Sequence, residues 1–219
     1  MVKYTAAETT DWVARSLRQA DKVSDVEVLA DQVLRVSRSQ YDPFVAGIVS
    51  ATRVEATTVR ALVESRHRVE IIAIVPKESY WTGEALRLAH GKNIATGAYA
   101  DLLRVIRLQN VRAFQPRDTV FVERGLHQHD RVSSFERIHD RLYRISRCNG
   151  LPDLTAAMLS EYELTAEHLR TARDRYGRFS VAVITNPYGE ATSAAQEAAR
   201  TMGCEILKWS PFLLRLNKK

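Results

Sequence analysis

Residues 69–75, VEIIAIV, form an apolar run interrupted only by Glu70 and closed by Pro76. So short a run, rich in β-branched side chains and stopped by proline, predicts a buried strand rather than a helix. Its flanks constrain the rest of the first half. Val54–Ser65 carries Val54, Val59, Leu62 and Val63 at helical spacing, and Thr82-Gly83 opens a second helix to about His90, ended by Gly91. Phe44–Ser50, FVAGIVS, follows Asp42-Pro43 and predicts another buried strand. An N-terminal helix capped by Thr10-Asp11 runs to about Ala20 with Trp12, Val13 and Leu17 on one side, and Ala98–Leu108 supplies a further helix. Residues 26–36, VEVLADQVLRV, fit a helix slightly better than a strand. Strands alternating with helices predict a parallel α/β layer.

The second half has a different rhythm. Val111–Phe114 predicts a short strand. Thr119–Arg124 (TVFVER), Val132–Ile138 (VSSFERI) and Arg141–Arg147 (RLYRISR) predict three strands of an antiparallel meander, with Gly125, residues 127–130 and His139-Asp140 in the turns. Pro152-Asp153 opens a long helical region to about Tyr176, with a break near Thr165 and Gly177 at its end. Phe179–Thr185 is a buried strand, Ala191–Met202 a helix ended by Gly203, Glu205–Trp209 a last strand and Phe212–Leu216 a closing helical turn. No internal repeat is evident. Gln115-Pro116-Arg117 marks a boundary between an N-terminal α/β region, 1–112, and a second one, 113–219, unless the two share one continuous domain. The expected fold class is α/β, three-layer, with a mixed sheet.

Composition narrows the function classes. With 45% hydrophobic residues the chain can bury a core, which excludes a disordered tail. No stretch approaches the roughly 18 apolar residues of a membrane span, and the start, MVKYTAAETTDW, has no signal-peptide pattern, so a cytoplasmic protein without a membrane partner is expected. Two cysteines exclude a disulfide framework; Cys204 is expected in the core and Cys148 in a turn with Asn149-Gly150. The net charge is +6, carried by 25 arginines and 7 lysines, and all ten basic residues between 101 and 150 are arginine against six acids. Guanidinium grips phosphate or carboxylate with two donors at once. A local arginine excess therefore points to a polyanion, DNA or RNA above all. An acidic protein partner or self-association as a homo-oligomer or complex subunit is the rival reading.

Meander, long helix, strand, helix, strand is the order of the restriction-endonuclease-like core. Within it, VAVITNPYGEATSAAQEAARTMGCEILKW, residues 181–209, resembles the closing strand–helix–strand of Mrr-type restriction nucleases: a strand ending in Thr, a helix of small residues, Gly, then an apolar strand. The resemblance implies a nucleic-acid substrate and a divalent metal, Mg or Mn. That metal would be held by an acid on the second meander strand and an acid or Gln two positions before Lys on the third. The sequence departs from this pattern. RLYRISR, read as the third strand, offers Arg144, Ser146 and Arg147; the second offers Glu136 and, at its end, Asp140. The resemblance thus implies either a rearranged site or a binding core that has lost its metal.

Candidate site residues follow. Glu123, His127 and His129 would share one face of an extended segment, with Asp130 beside them. Imidazole with carboxylate suits a divalent metal, and a hydrogen-bonded polar turn is the competing reading. Glu123, Glu136 and Asp140 are the candidate catalytic carboxylates; for Glu136, His139 and Asp140, pairing with Arg137, Arg141 and Arg144 is the bland alternative. Arg124, Arg131, Arg137, Arg141, Arg144 and Arg147 are the candidate phosphate contacts, with Phe135, Tyr143 and Tyr162 as nearby stacking surfaces. Ser50–Arg53, Lys77–Gly83 and Asn186–Gly189 each join a predicted strand to a helix and could seat an anion. None carries a P-loop or Rossmann glycine pattern. Their presence supports an alternative function, a Rossmann-like enzyme acting on a nucleotide or phosphorylated small molecule.

Overall fold

The computed structural model describes residues 5–218 and folds as two compact units that divide between Arg117 and Asp118. In unit 1, Thr5 caps helix α1 (Ala6–Arg18) through a reciprocal box with Glu8, and Val13, Ala14 and Leu17 face inward. Strands β1 (Val23–Ala30), β2 (Val33–Arg38) and β3 (Phe44–Val49) follow as an antiparallel meander. The short β4 (Arg53–Val54) leads into α2 (Ala56–Val63). Next come β5 (Ile71–Ile74), short β6 (Tyr80–Trp81), α3 (Gly83–Gly91), β7 (Ala95–Ala98) and α4 (Tyr99–Val105). β3, β5 and β7 are parallel, so the sheet β1-β2-β3-β5-β7 is mixed. Val13, Leu17, Leu102 and Val105 pack on one face of that sheet; Val59, Leu62, Leu86 and Ala89 pack on the other. The result is a three-layer α/β/α sandwich.

Unit 2 runs α5 (Arg117–His127), β8 (Val132–His139), β9 (Leu142–Arg147), β10 (Leu154–Leu159), β11 (Glu163–Leu164) and α6 (Ala166–Tyr176). It continues with β12 (Val181–Ile184), β13 (Glu190–Ala191), α7 (Ser193–Met202), β14 (Glu205–Lys208) and α8 (Trp209–Arg215). Its sheet order is β8-β9-β10-β12-β14, again antiparallel at β8-β9-β10 and parallel beyond. Val122, Leu126, Phe212 and Leu216 pack with Tyr143, Ile145 and Val183 in its core.

The two units are a repeat, which corrects the expectation of none. Shifting the pair Val23↔Arg38 by 109 gives Val132↔Arg147, with register shifts at the same places in both hairpins. Shifting Ala46↔Ile71, Ile71↔Ala95 and Arg53↔Tyr80 by 110 gives Ala156↔Val181, Val181↔Glu205 and Glu163↔Glu190. The extra residue lies between the second and third strands. Trp12 packs on Tyr99 at 4.9 Å as Phe121 packs on Trp209 at 4.8 Å. Fold-determining registers persist while most side chains differ; VLRVSR against LYRISR is among the few legible echoes.

Other elements also differ from expectation. Residues 26–36 are a hairpin, because Asp31-Gln32 makes a two-residue turn without the glycine that signals one. Residues 119–124 are helix, not strand: Val122 and Leu126, four apart, are the buried positions, whereas Val120 and Phe121 stay exposed. Residues 154–159, LTAAML, are strand, not the start of a long helix. Burial between β9 and β12 overrides the helix propensity of Ala, Met and Leu. Thr165, expected at a break, caps α6 instead. Residues 111–113 form a 3-10 turn rather than a strand, and Ala95–Ala98, with little apolar bulk, is a strand the pattern does not reveal. The first helix is capped by Thr5 rather than Thr10-Asp11.

Candidate functional site

These corrections relocate the meander. Its third strand is LTAAML, and RLYRISR belongs to the second, so the nuclease pattern must be read against β10. β10 supplies Leu154, Thr155, Ala156, Ala157, Met158 and Leu159, with neither a carboxylate nor a lysine. No group of three or more His, Cys, Asp or Glu side chains converges among the described residues in a way that could hold a metal ion. The donor set therefore does not fit the Mg or Mn the resemblance implies.

The helix at 117–127 also separates the expected extended ligand set. Glu123 reaches Tyr143, whose hydroxyl is 3.4 Å from Oε1. The His127 ring packs on Phe135 at 4.7 Å. His129 is turned inward, with Nε2 2.9 Å from the Leu213 carbonyl and Nδ1 accepting from the Arg131 N–H at 3.1 Å. Asp130 is exposed in the turn before β8.

What the fold does bring together is a polar cluster beside the β8–β9 turn. Arg137 of β8 lies 3.7 Å from Glu123, donates to the Asp140 carbonyl at 3.1 Å, and sits 6.0 Å over the Tyr143 ring. His139 stacks on Tyr176 of α6 at 5.6 Å, and the Tyr176 hydroxyl hydrogen-bonds the Asp140 carboxyl. Asp140 Oδ1 is sealed from solvent without a hydrogen-bond partner. Burial pushes the Asp140 carboxyl above its ordinary value, although the Arg141 and Arg137 charges oppose the shift. Burial likewise raises the Tyr143 and Tyr176 phenols. The chemistry available here is proton retention and charge pairing; Glu136 stands apart, 3.5 Å from Arg144.

The repeat shows what this cluster replaces. At the positions matching Glu123, Arg137, His139 and Tyr143, unit 1 has Ala14, Val28, Ala30 and Leu34, while Asp140 matches an exposed Asp31; Ala51 stands where unit 2 has Glu161, whose Oε2 is sealed from solvent without a hydrogen-bond partner. The fold thus forms without the polar set. Desolvating charged groups costs free energy, so their presence in one copy alone makes that end of unit 2 the candidate site. Tyr176 and Glu161 escape a reading of the sequence in one pass, but comparing the halves at the shifts above would mark Glu161.

The same end carries two loops. Loop 160–162 before β11 and loop 185–189 before β13 are joined by the Glu190 N–H to the Tyr162 carbonyl at 3.0 Å and the Asn186 side chain to the Ser160 carbonyl at 3.4 Å. Arg141 donates to Ser160 Oγ at 3.2 Å from the neighbouring hairpin turn. Tyr162 and Tyr188 project from these loops almost wholly exposed.

The six candidate arginines do not form one wall. β9 turns successive side chains to opposite faces. Arg147 is buried among the carbonyls of Pro152, Leu216 and Lys218, at 2.7, 3.2 and 2.6 Å. Arg144, on the other face, pairs with Glu136, and Arg137 belongs to the buried cluster. Arg124, Arg131 and Arg141 are exposed, and so is Arg144 beside its carboxylate. At the strand–helix junctions Thr82 caps α3 and Thr192 caps α7, while α2 starts without a side-chain cap and Arg53 pairs with Glu55 at 2.8 Å. Of the cysteines, Cys204 is buried and Cys148 half-buried, both as free thiols. No helix among the described residues is long and apolar enough to cross a membrane. No protein-family model matches the chain, and neither curated proteins nor solved structures yield a match.

Proposed function

We propose that the protein binds nucleic acid through unit 2, on an endonuclease-like core, without metal-dependent hydrolysis of its own. The observation that carries this reading is the set of guanidiniums the fold leaves in solvent, Arg124, Arg131 and Arg141, within the most arginine-rich stretch of the chain. The order of antiparallel meander, helix, parallel strand, helix, parallel strand supports the nuclease-like descent, and β10 without acid or lysine supports binding over cleavage. Filter binding to DNA and RNA at rising salt tests it. Affinity should fall steeply, with a slope of about 0.9 per phosphate contact. Replacing all three arginines by alanine should flatten that slope. Salt-independent binding, or none, removes the proposal.

A further inference from the structure

We infer that Tyr162 and Tyr188 form a stacking platform for the bases of single-stranded nucleic acid at the end of the unit 2 sheet. The inference deepens the nucleic-acid reading above and rests on it. The two rings are the most exposed large hydrophobic side chains of the described residues, at 74% and 77%. They do not stand on slack loops. The Tyr188 N–H donates to Asn186 Oδ1 at 3.0 Å, Gly189 N–H to the Asn186 carbonyl at 2.9 Å, and Glu190 N–H to the Tyr162 carbonyl at 3.0 Å. A Cβ on Gly189 would lie 2.7 Å from the Glu161 carbonyl, so the two loops close on each other at a residue with no side chain.

Unit 1 supplies the comparison. Its matching loops are joined the same way, by the Tyr80 N–H to the Thr52 carbonyl at 2.9 Å, yet Thr52 and Glu78 stand where unit 2 has the tyrosines. The aromatic rings are thus dispensable to the loop architecture. Held rigidly in water, they present flat faces that any base can stack on, at small entropic cost. Charge sets the direction of the strand. Glu163, next to Tyr162, repels phosphate, Glu190 is held in an ion pair with Lys208, and Arg141 lies on the hairpin side. The sugar–phosphate backbone therefore runs along Arg141, with the bases turned toward the tyrosines.

The test uses the full-length chain and a 12-nucleotide single strand containing 2-aminopurine, beside a duplex of the same length. Wild-type protein should quench the 2-aminopurine on binding. Tyr162→Ala and Tyr188→Ala should each weaken single-strand binding about tenfold, with the quench lost and duplex binding unchanged, and Tyr162→Trp should restore both signals. Salt-dependent binding by wild type that neither alanine alters would overturn the platform while leaving the nucleic-acid reading intact. Absence of binding to every nucleic acid would overturn both.

Discussion

Arg38 and Arg147 hold the same post in the two units. Arg38 donates Nε to the Asp42 carbonyl at 2.8 Å and Nη1 to the Leu108 carbonyl at 2.6 Å. Arg147 donates Nε to the Pro152 carbonyl at 2.7 Å and Nη1 to the Lys218 carbonyl at 2.6 Å. Each guanidinium ties the end of the second strand to the turn before the third and to the chain beyond the unit's last helix. Burial lowers both guanidinium pKa values, and the backbone carbonyls take up the donors.

Lysine cannot fork between two such groups. Arg38→Lys and Arg147→Lys should each cost about 1.5–3 kcal/mol, the range for hydrogen bonds to a charged group. Urea unfolding would measure it. Loss confined to one of the two would refute their equivalence.

The Asp140 carboxyl has a folded pKa raised above its unfolded value. The folded state then binds the proton more tightly, so the contribution to stability is full below the ordinary carboxylate value and is lost as pH rises through the raised value. Asp140→Asn keeps the uncharged form at every pH. Its stability relative to wild type should therefore increase from pH 4 to pH 7, as read from urea midpoints. A constant difference across that range would contradict the raised value.

Removing one partner of the cluster should hurt more than removing it all. Glu123→Ala leaves Arg137 without its carboxylate and should cost about 1–3 kcal/mol. The combined Glu123→Ala, Arg137→Val and Tyr143→Leu imports the unit 1 residues and should recover most of that loss. Thermal denaturation of the single and triple variants decides it; additive losses would show that the cluster stabilises the fold.

Gly125 lies against the Trp209 ring, where a Cβ would come within 2.4 Å of Cζ2. Gly125→Ala should displace the indole and destabilise unit 2 by about 1–3 kcal/mol, with a shifted tryptophan emission. Unit 1 accommodates Ser16 at the matching place because Tyr99 is narrower, its hydroxyl 2.6 Å from Ser16 Oγ. An unchanged spectrum and melting temperature would mean the ring relaxes freely.

Strands whose burial comes from β-branched runs were legible in the sequence: Ile71–Ile74, Phe44–Val49 and Val181–Ile184 lie where periodicity and breakers put them. Helices with a threonine cap and a small-residue face, α3 and α7, were legible too. LTAAML misled because its residues favour helix in isolation and only its sheet neighbours make it a strand. TVFVER misled in the opposite sense, its β-branched residues lying on a helix that buries just Val122 and Leu126. Those two inversions, with the hairpin at 26–36 read as helix, hid the repeat, since they made equal halves look unequal. They also put Glu123 on an imagined strand, when a helix brings it to Arg137 beside the hairpin turn that holds Asp140.

Matched registers with unmatched side chains give this molecule an internal control. A substitution at a matched position of unit 2 has a counterpart in unit 1, on the corresponding ladder, in the same tube, under the same solvent. Effects of backbone architecture will appear at both places; effects of recognition will appear at one.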